Sequence, residues 1–114
     1  MATRYYLTLP DPQRARGSDA AFAFSAHGAD EFAAQLQSAL RSDALFQRWR
    51  AAQDDPDAVD TALGASDPQA SVSGSQRDLR IDLVATTSLP GSVFKHRLRL
   101  LAGGGWELRD VTAA

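Results

Sequence analysis

The sequence contains no cysteine. Disulfides, thiol catalysis and every thiolate metal site are therefore excluded. No apolar run approaches the ~18 residues that a transmembrane helix needs. The opening stretch, MATRYYLTLPDP, has no apolar core of the signal-peptide kind, so a cytoplasmic protein is expected. Lysine is almost missing: eleven of the twelve basic residues are Arg and the other is Lys95. Against fourteen acidic residues they leave a formal charge of −2. Without a basic excess, a dedicated nucleic-acid binder is disfavoured. GxSxG, HExxH and GxGxxG are all absent, which removes the usual sequence signatures of an esterase, a zincin and a dinucleotide site.

What is present is a chain of 114 residues, 44% hydrophobic and 23% charged. Those values belong to a globular protein with one core, so residues 1–114 read as a single domain. Charge is unevenly spread. Residues 43–67 hold six Asp against Arg48 and Arg50, while residues 76–111 hold six basic groups against four acidic ones. The middle of the chain is acidic and its C-terminal part mildly basic.

Residues 4–9 (RYYLTL) alternate as a strand does, with Tyr5, Leu7 and Leu9 on one face. Pro10 and Pro12 close it. Phe22 and Phe24 in AAFAFS (20–25) suggest a second strand, completing an N-terminal hairpin, with helix left open as the alternative by the alanines. Asp30 and Glu31 favour a helix start, and Phe32, Leu36, Ala39 and Leu40 follow at helical spacing. Leu45 falls on the wrong side of that stripe. A break at Ser42–Asp43 and a second helix through Leu45, Phe46, Trp49 and Ala52 are therefore expected. The acidic stretch 54–68, punctuated by Pro56, Gly64 and Pro68, reads as a connector with a helical turn near Ala58–Leu63.

The remainder reads as strands. Val72 lies in a short strand interrupted by Gly74. Leu79, Ile81, Leu83 and Ala85 alternate with Asp78, Arg80, Asp82, Val84 and Thr86 over 77–87. LPGS (89–92) has the form of a type II turn. Phe94, His96, Leu98 and Leu100 alternate with Lys95, Arg97 and Arg99, and Gly103–Gly105 supplies another reversal before WELRDV (106–111). The expected fold is α+β: an antiparallel β-sheet, formed by the N-terminal hairpin and a C-terminal meander, with two helices packed on one face.

Candidate chemistry is sparse. His96 falls among apolar residues with no acid or Cys at a useful spacing, which is the pattern of a structural imidazole. His27 precedes Gly28 and reads as a loop residue. An EF-hand loop starting at Asp55 would need Gly at its sixth position and Glu at its twelfth, but those positions hold Asp60 and Ser66. The glycine run is followed by a strand pattern, whereas a phosphate loop leads into a helix. No metal and no cofactor are expected. The most suggestive surface is a stripe of Arg77, Arg80, Lys95, Arg97, Arg99 and Arg109 on the polar side of the meander, paired across strands with Asp78, Asp82 and Glu107.

The alternating strands, glycine turn and Trp-led final strand over residues 77–111 are similar to NTF2-like cone domains. That resemblance implies a ligand-binding pocket or an enzyme. The chain departs from the family by opening with strands where a long helix belongs, and no functional residue carries over. The leading expectation is a non-catalytic protein–protein interaction or accessory module. Its candidate contact residues are Tyr6, Trp49, Arg97 and Arg99. Strand 4–9 is apolar on both sides, which suggests an edge covered by a second copy in a homodimer. Nucleic-acid binding through the Arg-rich sheet face is the remaining alternative.

Overall fold

The alternation at the N-terminus becomes strand β1 (Thr3–Leu9), with Tyr5, Leu7 and Leu9 buried and Tyr6 pointing the other way, half-buried. The structure, a computed structural model, describes every residue from Met1 to Ala114. Helices α1 (Ala29–Arg41) and α2 (Ala44–Ala51) follow. Their break falls at Ser42 and Asp43, where the apolar stripe changes sides. Phe32, Leu36 and Leu40 from α1 and Leu45 and Phe46 from α2 enter the interior. Two short 3-10 turns, Pro56–Ala58 and Thr61–Gly64, occupy the acidic connector. The rest of the chain is β2 (Ser71–Arg77), β3 (Arg80–Thr87), α3 (Gly91–Ala102) and β4 (Glu107–Ala113).

The four strands form one antiparallel sheet in the order β2-β3-β1-β4. Strands β1 and β2 are joined through α1 and α2 with β3 lying between them. Strands β3 and β4 are joined through α3 with β1 between them. Two β-α-β units are thus interleaved, which is the split, ferredoxin-like arrangement, with α2 and its connector inserted before β2. The helices lie on one face. Helix α1 packs on β2 and β3, and Phe94 of α3 stacks on Tyr5 of β1 with ring centroids 4.2 Å apart. Gly74 lets α1 approach: a Cβ there would come within 2.5 Å of the Ala29 carbonyl oxygen. No helix is long and apolar enough to cross a membrane.

The α+β class, the antiparallel sheet, the helices on one face and the α1/α2 break follow the sequence reading. Several elements do not. Residues 93–102 are helix, not strand: Val93, Phe94, Arg97, Leu98, Leu101 and Ala102 are buried at helical spacing. LPGS is the entry to that helix, with Pro90 at its N-cap, and the glycine run joins α3 to β4 instead of linking two strands. The strand run that carried the likeness to NTF2-like cone domains is therefore interrupted by a helix, and that likeness is withdrawn. Residues 20–25 form no strand: a turn over 20–22 leads into irregular chain. Phe22 and Phe24 are still buried, but the Phe24 N–H donates to the Leu101 carbonyl of α3, and Arg16 holds the Phe24 and Ala26 carbonyls at 2.9 and 2.6 Å. Strand β2 runs through Gly74 to Arg77, and Leu79 sits 87% exposed at the β2–β3 turn.

Candidate functional site

The sheet has one helix-covered face and one bare face. Register places Ser73, Val84, Tyr6 and Asp110 in one row across the bare face, and Ser75, Asp82, Thr8 and Glu107 in the next. Tyr6 and Val84 are half-buried side by side at its centre. Beyond Asp82, Arg77 and Arg80 face each other at the last rung of the β2–β3 hairpin. A register shift in the β1–β4 pairing between Tyr6 and Leu7 leaves Arg109 as an extra residue of β4, and its guanidinium reaches Thr8 Oγ1 at 3.4 Å.

These side chains surround one carboxylate. Asp82 Oδ2 lies 3.1 Å from Arg77 Nε, and its Oδ1 lies 3.7 Å from Arg80 Nε. The buried Thr8 hydroxyl donates to Oδ1 at 2.8 Å. Asp78 and Glu107, expected as further cross-strand partners, make no ion pair. The result is a depression of about 350 Å³ lined by Tyr6, Thr8, Ser75, Val84 and the three arginines around Asp82.

The other polar groups of the interior serve the fold. Arg97 is fully buried. Its guanidinium donates to the carbonyls of Ala39, Ser42, Leu63 and Ala65, tying α3 to the C-terminal end of α1 and to the 61–64 turn. Burial pushes its pKa down and the Asp43 charge opposes that shift. Asp67 accepts from the Ser88 and Gln69 N–H groups and the Thr87 hydroxyl. The Ser88 bond foremost lowers its pKa, against a desolvation penalty. His96 packs edge-on to Trp49 at 4.6 Å with Nδ1 buried and unpartnered. Desolvation, then the charges of Arg97 and Arg99, lower its pKa. No group of three His, Asp or Glu side chains converges at metal-binding distance.

The four contact residues expected from sequence are dispersed. Tyr6 lies on the bare face. Trp49 and Arg99 line a hollow on the helical side with Asp19 and Gln53. Arg97 is inside the protein and cannot meet a partner, because its position belongs to the buried stripe of α3. The arginine stripe is likewise split: Arg77, Arg80 and Arg109 share the bare face, while Lys95, Arg97 and Arg99 belong to α3. Alternation places Arg80 and Asp82 on one face of β3; that Thr8 and Arg109 join them depends on strand order, which the sequence does not encode locally. Comparison with protein-family models, characterised proteins and solved structures finds no match to this chain.

Proposed function

We propose that this chain is a non-catalytic binding module that takes a protein partner on the bare face of its sheet. The observation that supports this is the combination at the centre of that face. A half-buried tyrosine and valine sit beside three arginines, and Arg77 and Arg80 keep their terminal NH₂ groups clear of intramolecular hydrogen bonds. Aromatic residues and arginine carry most binding energy at protein interfaces. The rigid sheet beneath them reduces the ordering cost of association. A single-stranded nucleic acid is less well served, because sheet-based RNA readers stack bases on two or three aromatic rings and only Tyr6 is available here.

A photo-crosslinking residue at position 6, compared with one at Gln47 on the exposed side of α2, tests the reading in cells. A discrete protein adduct formed from position 6 and absent from position 47 is the expected result. Adducts of equal yield from both positions, or a nucleic-acid adduct from position 6, would overturn it.

A further inference from the structure

Arg77 and Arg80 stand directly opposite each other on the same face, an arrangement that destabilises a strand pair when nothing lies between the charges. Asp82 partly relieves it. With Arg109 the site holds three cations and one anion, a local charge of +2. Glu107 and Asp110, on the same strand as Arg109, make no ion pair and do not line the depression. Both hairpin arginines turn Nε toward Asp82, which leaves their forked NH₂ ends available to a second anion above it.

We propose that this cluster is a subsite for a phosphomonoester dianion, carried on a phosphorylated side chain of the protein partner. The inference rests on the bare face being the partner's seat. A phosphomonoester carries about −1.5 to −2 charge at neutral pH and three strong acceptor oxygens. It matches both the residual charge and the number of guanidinium forks, whereas a carboxylate offers one charge and two oxygens. Arginine suits this role because its planar fork meets phosphate oxygens in pairs. The depression, at about 350 Å³, exceeds what a phosphate group fills. Tyr6 and Val84 supply an apolar floor for the carbon part of the modified side chain. The alternative, that Asp82 already completes the cluster, predicts no further anion binding.

The test follows the arginine Nε–H signals of the labelled protein by NMR while phenyl phosphate, benzoate or inorganic sulfate is added. The expected result is a saturable change confined to Arg77, Arg80 and Arg109, stronger for phenyl phosphate than for benzoate or sulfate. Arg80→Gln should weaken it about tenfold, the value of one charge-assisted hydrogen bond. Asp82→Asn, which removes the competing anion, should tighten it. Equal responses to all three anions, or no saturation at millimolar concentrations, would overturn the subsite. Lysate of the same cells is then treated with phosphatase before crosslinking through position 6 is repeated in it. Loss of capture, matched by loss in Arg80→Gln, supports the proposal. Capture that survives both treatments overturns the phosphate inference and leaves the protein-binding reading standing. Phenyl phosphate binding with no protein captured overturns the protein-binding reading and assigns the subsite to a small organophosphate.

Discussion

Arg97 occupies a core position of α3 that an aliphatic residue would ordinarily fill. A buried cation with no carboxylate partner is costly, and it is tolerated here because four backbone carbonyls receive it. Two of these, from Ala39 and Ser42, lie at the negative end of the α1 dipole. Replacement by Met should leave all four acceptors without their donor and cost about 1–3 kcal/mol, a large share of a small domain's stability. Arg97→Lys should also be strongly destabilising, since a single ammonium has three donors and no fork. Urea unfolding measures both, and a loss under about 1 kcal/mol would show that the connector docks without this residue. His96 supplies a second prediction. Its lowered pKa means that the folded chain holds the imidazole neutral more firmly than the unfolded chain does. Unfolding therefore takes up a proton in mild acid. The contribution to stability is complete above the unfolded imidazole's pKa of about 6.5 and declines as pH falls below it. The melting temperature should drop between neutral pH and mild acid, and His96→Gln should flatten that slope. An equal slope in the variant would assign the pH response to other groups.

At the scale of elements, the helices α1 and α2 and the strands β1 and β3 were legible because no charge interrupts their buried faces. Helix α3 was not, and Arg97 is the reason. Its buried stripe runs Val93, Phe94, Arg97, Leu98, Leu101, Ala102, and a charged residue in that stripe breaks the helical period. The same arginine joins Lys95 and Arg99 in an apparent polar face of a strand. The segment 20–25 misled in the opposite way: Phe22 and Phe24 are buried, but the Phe22 N–H closes a turn on the Asp19 carbonyl and Phe24 is held by the Leu101 carbonyl of α3 and by Arg16, not by a neighbouring strand. The join from α3 to β4 yields a prediction within a single glycine run. Gly103 has φ of +59°, and a Cβ there would lie 2.9 Å from the Arg16 carbonyl oxygen. Gly104 faces open space. Gly103→Ala should destabilise by about 1–3 kcal/mol, while Gly104→Ala should change the unfolding midpoint little. Equal effects would show that the join relaxes without strain.

For the whole molecule, strand order decides what the apolar N-terminal strand means. Tyr5, Tyr6, Leu7 and Leu9 suggested an edge needing a second copy, but β1 is central, hydrogen-bonded to β3 on one side and β4 on the other. The premise of edge-to-edge pairing through this strand is gone. The true edges are guarded. On β2 the Val72 N–H donates to the Gln37 side chain of α1 at 3.1 Å. Strand β4 carries the register shift and the charges of Glu107, Arg109 and Asp110. Bulges and charges of this kind blunt pairing with another chain. The candidate site was legible to the same degree: alternation places Tyr6 opposite the core face, yet only the interleaved topology brings it beside Val84 and the arginines of β2, β3 and β4. The isolated chain is accordingly predicted to be a monomer, with the 12.2 kDa mass of a single copy by light scattering at micromolar concentration. Tyr6→Glu should fold, keep that mass and lose the partner, because the side chain is half-buried on a face that no helix covers. A species of twice the mass that Tyr6→Glu dissociates would instead make the partner a second copy, seated face to face on the bare side of the sheet.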